Sequence, residues 1–431
     1  MKKIKINIEK LFLIIFIVML ISFSIYFVTP SSDNYYYYNV AKYILKDPSF
    51  LWKTNQTGFA SMLSTEQRGF FNYPPLTHII FAILIMFQLP TFLLTILAIL
   101  AIGYFMYKKE ALAIPFLLIS FLFVRTMSFG ENDIFVTALT LGAIYFFEKK
   151  PIISGIFIGL TTLIKPTGVF VLFFYLISVL VLKRKEIFNK TIYKNKYFLS
   201  IIVAVLVLSP WYARNFILFK GNLEATISGG VTLGQIVGGQ NFLIQGVQAG
   251  QPERYWWDSS GYYPLPIDLL FYLGLVFTAF NIYKKRRVAI EEIFIISFSG
   301  MYFLVQATGI LFLMTIRYYL PIFPLLAIQI KNRLSEKYLR YSYIICLVIF
   351  IYFALNLPKY SFNQYSDAIS PACEQIKSAI DFESVYVNAF HNWFVIYKCN
   401  LNATTQNDSK WTIDFDKGQL YPTNHTNITG A

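Results

Sequence analysis

The sequence predicts an all-α membrane protein that crosses the bilayer about eleven times and ends in a small polar segment. Hydrophobic residues make up 56 % of its 431 residues and charged residues only 14 %, whereas a soluble domain carries roughly 25 % charged residues. Short basic clusters separate the apolar runs. The net charge of +14 therefore belongs to loops between spans, and nucleic acid is not an expected partner.

The basic clusters determine the predicted orientation, because cytoplasmic loops of membrane proteins are enriched in lysine and arginine. Placing every cluster inside gives a cytoplasmic N-terminus and an extracytoplasmic C-terminus. The first apolar run leads into "YFVTPSSDN" without a small-residue cleavage site, so we interpret it as a retained span and not as a signal peptide. The clusters lie at residues 2–10, 108–109, 149–150, 183–196, 284–287 and 331–340.

The apolar run "LTHIIFAILIMFQL" (76–89) is left out of the spans, because counting it would move all later basic loops outside. It is short and Pro90 bounds it, so we expect an interfacial or re-entrant helix on the outer face. A true span is the alternative. The predicted spans lie at residues 11–28, 91–107, 111–128, 134–147, 152–166, 167–182, 197–213, 264–283, 292–314, 318–330 and 341–357.

This topology predicts two parts of the chain. Residues 1–357 form a transmembrane domain with a first outer loop at 29–90 and a second large outer loop at 214–263. Residues 358–431 form an extracytoplasmic tail, in which the runs "SVYVNAF" and "WFVIYKCN" predict short strands of a small α/β unit. Within the transmembrane domain, "GIFIG" (155–159) carries small residues at the spacing that packs helices closely.

Eight acids lie near the predicted outer surface and are candidates for function, and three of them, Asp33, Glu131 and Asp133, are assigned to the site. The full set is Asp33, Glu66, Glu131, Asp133, Glu224, Glu253, Asp258 and Asp268. An ionisable group close to the hydrocarbon is costly, which makes each of them a functional hypothesis. Asp33 follows the first span, and Glu131 and Asp133 lie in the short outer turn "SFGENDIF". Asp33 has a second interpretation as the N-cap of a helix over residues 34–45.

Three basic residues lie at a matching depth on the predicted outer side: Lys165, Arg214 and Arg317. They depart from the inside bias of the other basic residues, and cations at this position suit a phosphate group. The alternative is that they pair with the nearby acids or extend towards the headgroups.

The element "NYPPLTH" adds Tyr73 and His78 as substrate-binding candidates at the entry to the interfacial helix. A single histidine is more often a packing residue than a ligand. The sequence contains neither a metal-spaced His/Cys cluster nor a nucleotide-binding motif. No cofactor is therefore assigned, and a requirement for a divalent metal, with unknown ligands, is left as an open alternative.

The order of these elements resembles the GT-C superfamily of membrane glycosyltransferases, in particular lipid-linked mannosyl- and aminoarabinose-transferases. The resemblance rests on "DNYYYYNVAKYIL" after the first span, then "NYPPLTH", "GEND", "LIKPTG", "SPWYARN" and "RYYLPIFPLLAI". It covers roughly residues 11–330. Some relatives carry a charged pair where this chain has Asn72 and Tyr73, which puts a metal or lysine contact there in doubt.

The resemblance implies transfer of a sugar, a hexose such as mannose, from a polyprenyl or dolichyl phosphate to an acceptor glycan, lipid or protein. Asp33 would be the catalytic base of an inverting reaction and Asp133 the second acid. Lys165, Arg214 and Arg317 would bind the carrier phosphate. Such a transfer needs a base for the acceptor hydroxyl and cations for the leaving phosphate.

Two other classes of function fit the same sequence. One is a transporter or flippase of a lipid-linked glycan, although the charges lie at the outer boundary and not at the midplane that transporters use. The other is a non-catalytic subunit of a glycan assembly complex, which the unmatched tail suggests.

Overall fold

The computed structural model divides the chain into two compact units. The first comprises Met1–Val28, Phe92–Pro210 and Arg254–Tyr360, and the second comprises Thr29–Thr91, Trp211–Glu253 and Ser361–Ala431. The structure describes residues 32–49, 74–129, 132–165, 167–187, 194–218, 221, 268–285, 288–308, 316–356, the strands within 385–422, and a few residues between 14 and 22.

In its described residues, the first unit has helices as its regular secondary structure. Every predicted span from residue 91 onward contains helix within its described residues. The predicted span 11–28 lies almost entirely outside the described residues. The helices are α3 (Phe92–Glu110), α4 (Phe121–Phe129), α5 (Asp133–Phe146), α6 (Pro151–Ile164), α7 (Gly168–Ile187), α8 (Lys196–Leu218, which ends in the second unit), α9 (Leu269–Lys285), α10 (Ile290–Thr308), α11 (Phe323–Arg333) and α12 (Glu336–Asn356).

Two predicted spans are not single α-helices, which corrects the expectation for residues 111–128 and 318–330. The first begins as a 3₁₀ helix, Ala111–Ile119, with Pro115 inside it, and the second as a 3₁₀ helix, Ile316–Ile322, with Pro321 inside it. Proline removes a backbone donor and disturbs the α-helical ladder. A 3₁₀ helix of this length is unusual and is often found at functional breaks.

Among the described residues, three helical stretches are long and apolar enough to cross a membrane: Phe92–Ile119, Lys196–Ile217 and Glu336–Asn356. Leu76–Met86, Asp133–Phe146 and Pro151–Ile164 are apolar but shorter. These helices support a membrane protein. The number of crossings and the sidedness of the termini remain predictions.

The predicted close packing at "GIFIG" is confirmed. A Cβ atom added to Gly155 would lie 2.1 Å from the backbone oxygen of Ser200, and one added to Gly159 would lie 2.6 Å from Cβ of Val207. Both contacts are with α8. Glycine at these two positions therefore lets α6 and α8 approach each other at backbone distance.

Ion pairs join the helix ends that carry the basic clusters. Lys109 at the end of α3 pairs with Glu291 at the start of α10. Lys331 near the end of α11 lies 2.7 Å from Glu110. Lys285 Nζ at the end of α9 lies 3.5 Å from Oε1 of Glu292 in α10. Described residues of three clusters that the sequence places in the cytoplasm are thus found at neighbouring helix ends.

A second group of polar contacts joins the ends of α5 and α7 to the start of α8. Lys183 Nζ and the Tyr197 hydroxyl each donate a 2.8 Å hydrogen bond to Oε2 of Glu148. Glu148 follows the end of α5, whereas Asp133 is the first residue of α5. The end of α6, before Lys165, lies beside Asp133. The candidate carboxylate is therefore a full helix length away from the nearest basic loop.

The second unit contains α1 (Ser32–Lys46) and α2 (Leu76–Met86). Tyr37 contacts His78 edge to face with ring centroids 4.8 Å apart, and it also contacts Phe81. α1 begins at Ser32, so Asp33 lies in its first turn and not at the N-cap position that the sequence suggested. A carboxylate in a first turn is favoured by the helix dipole.

The tail contains a four-stranded sheet in the order β2–β1–β3–β4. β1 pairs in parallel with β2 and with β3, and β3 pairs antiparallel with β4 in the register Trp411 to Pro422. β1 falls within the predicted strand "SVYVNAF", whereas "WFVIYKCN" lies outside the described residues. The strands are β1 (Val385–Tyr386), β2 (Ala403–Thr404), β3 (Trp411–Asp414) and β4 (Gln419–Pro422).

Candidate active site

Asp133 and Lys165 form a buried ion pair. Lys165 Nζ lies 2.7 Å from Oδ2 of Asp133, and the two side chains are only 4 % and 2 % exposed. Asp133 is the first residue of α5, and Lys165 directly follows α6. A short connection makes α5 and α6 antiparallel neighbours, which brings these two ends together.

The local sequence explains why both charges are tolerated there. Asp133 lies at the positive end of the α5 dipole, and Lys165 lies at the negative end of the α6 dipole. Lys165 precedes Pro166, which disfavours a helical backbone, and its φ of −151° and ψ of 146° are extended. α6 therefore stops at Ile164 and leaves the lysine side chain beside the start of α5.

The Asp133 carboxylate is a hydrogen-bond acceptor and the Lys165 ammonium group is a donor, and the two lie side by side in a buried position. Charges placed away from water are stable there only when they are paired. A carboxylate and an ammonium group at this distance can contact a hydroxyl and a phosphate side by side. The sequence predicted a similar depth for these two residues, and the structure places them in direct contact.

Further polar side chains are buried in the short segment before Asp133. Arg125 is 8 % exposed, and Thr126 and Asn132 are fully buried. Sequence reasoning missed Arg125 because it lies inside an apolar run that was assigned to a span. The available signal was the charge itself, since an arginine within an apolar run is a functional hypothesis by default.

Arg214 lies in the second unit, near the end of α8. Its Nη1 donates a 2.6 Å hydrogen bond to Oδ1 of Asn215, and its guanidinium lies 4.5 Å from the ring centroid of Trp211. Arginine stacks on aromatic rings while its fork of donors still reaches other acceptors. Arg214 is therefore held in place by its neighbours along the helix.

His78 is fully buried in α2. Its Nδ1 lies 3.3 Å from the Pro74 oxygen, and its ring contacts Tyr37. Burial lowers the pKa of His78 from 6.5 to about 3, and the hydrogen bond to the Pro74 backbone opposes this only partly. The imidazole is therefore neutral at physiological pH, as expected for a packing residue.

The structure describes the remaining predicted site residues only in part. Asp33 lies in α1 and Arg317 in the 3₁₀ helix Ile316–Ile322, but their side chains are outside the described residues. Tyr73 and Glu131 lie outside the described residues altogether. In the described part of the chain, no group of three His, Cys, Asp or Glu side chains could hold a metal ion.

The comparison with known proteins identifies a class for the middle of the chain. Residues 70–219 match Glycosyltransferase family 87, a family of the GT-C type. The match covers less than half of the chain and includes Asp133, Lys165 and Arg214. No curated protein matches the chain. The predicted resemblance to GT-C membrane glycosyltransferases is confirmed.

Two solved structures are similar to this chain. The apo oligosaccharyltransferase of Archaeoglobus fulgidus is 13 % identical, with a TM-score of 0.46 over 94 % of this chain and 65 % of that one. ArnT from Cupriavidus metallidurans, bound to undecaprenyl phosphate, is 14 % identical, with a TM-score of 0.47 over 90 % of this chain and 74 % of that one. This chain thus spans less than two thirds of the length of the oligosaccharyltransferase.

Proposed function

We propose that this protein transfers a hexose, such as mannose, from a polyprenyl or dolichyl phosphate to an acceptor hydroxyl at the outer face of the membrane. The observation that carries the proposal is the buried pair of Asp133 and Lys165, which lies within the glycosyltransferase match. It lies at the opposite end of α5 from the basic loop at 149–150. A buried ionisable pair within apolar helices supports a reactive site.

In the proposed reaction, Asp33 accepts the proton of the acceptor hydroxyl as its oxygen attacks the anomeric carbon. The bond from that carbon to the carrier phosphate breaks, and the phosphate leaves with its charge. One direct displacement inverts the configuration of the sugar. General base catalysis of this kind contributes about 10²- to 10⁴-fold to the rate.

The cations have the complementary role in this mechanism. Arg214 and Arg317 bind the carrier phosphate and stabilise the charge that develops on it. Lys165 shares its charge between Asp133 and the phosphate, and Asp133 acts as the second acid of the site. Glu131 and Tyr73 contact the sugar. His78 belongs to the substrate-binding residues of the proposal, as an element of the segment that follows Tyr73.

The two parts of the chain have different roles in the proposed function. Residues 1–357 supply the transmembrane and donor-binding part, with loops 29–90 and 214–263 on the outer face. The tail at 358–431, which contains the four-stranded sheet, selects the acceptor.

Transfer assays with the purified protein and radiolabelled polyprenyl-phosphate hexoses test this function. We expect transfer by the wild type and loss of transfer by Asp33→Ala, with donor binding retained. Full activity of Asp33→Ala would exclude Asp33 as the base. No transfer from any member of a donor panel would contradict the proposed function.

A flippase of a lipid-linked glycan is the second candidate, because two of the predicted spans are broken by 3₁₀ segments. Discontinuous helices are a common feature of transporters. Proteoliposomes that contain a fluorescent lipid-linked sugar distinguish the two candidates. Movement of the lipid between leaflets without sugar transfer would favour the flippase.

A further inference from the structure

The short helix α4 lies between two contacts or positions that involve buried carboxylates: Asp268 at its start and Asp133 after its end. It begins directly after Ser120, which contacts Asp268, and it ends at Phe129, four residues before Asp133. Its nine residues span roughly 13 Å at 1.5 Å per residue. The position of α4 therefore depends on the contact at its first end and affects the residues at its second end.

Ser120 and Asp268 form a hydrogen-bonded joint between two helix starts. The Ser120 hydroxyl donates to Oδ2 of Asp268 at 2.6 Å. The backbone N–H of Phe123 donates to the Ser120 oxygen at 3.0 Å, and that of Phe271 donates to Oδ1 of Asp268 at 3.1 Å. Ser120 therefore caps α4 while Asp268 caps α9.

The joint is buried, and both oxygens of the carboxylate accept hydrogen bonds. Ser120 is fully buried, and Asp268 is 3 % exposed. The positive ends of two helix dipoles point at the same carboxylate. A buried polar group is tolerated when hydrogen bonds satisfy it. The joint thus holds α4 at the break that follows the 3₁₀ helix Ala111–Ile119.

The second end of α4 leads to the candidate active site. Arg125 lies near the middle of α4 and is buried, and fully buried Asn132 directly precedes Asp133. Arg125 would move with any rotation or shift of α4, and the start of α5 follows only four residues after the end of α4. Displacement of a reacting group by about 1 Å can cost about 10²-fold in rate.

We propose that Asp268 and Ser120 are positioning residues that hold α4 so that Arg125 and Asp133 face the sugar donor. This role rests on the proposed function. It separates Asp268 from the candidate catalytic carboxylates, because its two oxygens are used by the starts of α4 and α9.

The other end of α9 offers a matched control. Asn281 Nδ2 donates a 2.7 Å hydrogen bond to Oε1 of Gln329, and the two residues are 4 % and 2 % exposed. This second polar joint is equally buried and lies on the same helix, but it joins α9 to α11 and not to α4.

The test compares Ser120→Ala, Asp268→Asn and Asn281→Ala at a temperature at which all of them are folded. An asparagine has one acceptor oxygen, so it satisfies only one of the two donors at the joint. We expect faster hydrogen exchange over residues 121–129 and a roughly 10- to 100-fold lower kcat/KM in the first two variants. Asn281→Ala and the hydroxyl-retaining Ser120→Thr should stay near the wild type.

Three results would overturn the positioning role: unchanged exchange in α4, faster exchange with unchanged kcat and KM, or an equal loss of activity in Asn281→Ala. Failure of the proposed function gives a different result, namely no sugar transfer by the wild type. An active wild type that is insensitive to Ser120→Ala and Asp268→Asn would exclude only the role of the joint.

Discussion

The pair of Asp133 and Lys165 is the feature on which the candidate site depends most directly. Removing one partner of a buried ion pair leaves an unpaired charge and costs about 3–5 kcal/mol. We expect Asp133→Ala and Lys165→Met each to lower the free energy of unfolding in detergent by about 3–5 kcal/mol. We also expect each variant to lose sugar transfer. A fluorescence-based melting curve and a transfer assay measure the two effects.

The double variant Asp133→Lys/Lys165→Asp separates structure from chemistry. It restores opposite charges at the same two positions, although each charge then opposes its helix dipole. We expect part of the stability to return while transfer remains absent. Recovery of both stability and transfer would show that the pair is only structural. Lys183→Met, which removes a partly exposed ion pair, is the control and should change stability by less than about 1 kcal/mol.

His78 predicts a dependence of stability on pH. Its folded pKa is about 3 instead of 6.5, so between these values the unfolded chain binds a proton that the folded chain does not. The free energy of unfolding should therefore fall as the pH decreases below about 6.5.

Melting curves between pH 4 and 8 for the wild type and His78→Phe measure this effect. We expect the pH dependence to be weaker in the variant, because phenylalanine does not titrate. Equal pH dependence in the two proteins would show that other groups dominate in this range. The edge contact with Tyr37 can be retained by phenylalanine, which limits the packing loss.

At the scale of elements, the contact of α6 with α8 gives the sharpest steric prediction. Gly155→Ala would place a methyl group 2.1 Å from the Ser200 backbone oxygen, and backbone cannot move aside as a side chain can. We expect a loss of at least about 1–3 kcal/mol, as is typical of overpacking. Gly300→Ala is the control, because no atom lies within 4 Å of the added group. Thermal melting of the two variants checks the difference.

The breaks within predicted spans show what the helical pattern of a sequence cannot reveal. The run 111–128 is apolar apart from Ser120, Arg125, Thr126 and Ser128, and apolarity alone favours one continuous helix. Pro115 was a visible signal of interruption. The role of Ser120 was not visible, because it depends on Asp268, which lies 148 residues further along the chain.

At the scale of the whole molecule, the basic clusters of the sequence predicted which helix ends lie on the same side and next to each other. Lys109 with Glu291 and Lys331 with Glu110 join loops that the sequence assigned to one side. The candidate site was predicted less completely. Similar depth suggested that Asp133 and Lys165 were near each other, but neither their contact nor the burial of Arg125 could follow from spacing alone.

Sidedness gives a prediction for the entire chain. In a variant whose native cysteines are replaced, we expect a cysteine at Lys284 to be labelled only after the cytoplasmic face is opened. A cysteine at Gln419 in β4 should be labelled in intact cells. Positively charged loops stay inside during insertion. Labelling of both positions from the same side would contradict the predicted topology.

The strand order of the tail also sets an order of events in time. β3 and β4 are joined by four residues, 415–418, and their antiparallel pairing needs only local contact. β1 pairs with β2 across residues 387–402 and with β3 across a longer stretch. Local pairs close sooner than distant ones. We therefore expect the β3–β4 hairpin to form first and the β1–β3 pair, which also connects β2 to the sheet, to form later, so slow steps in maturation of this protein should involve β1.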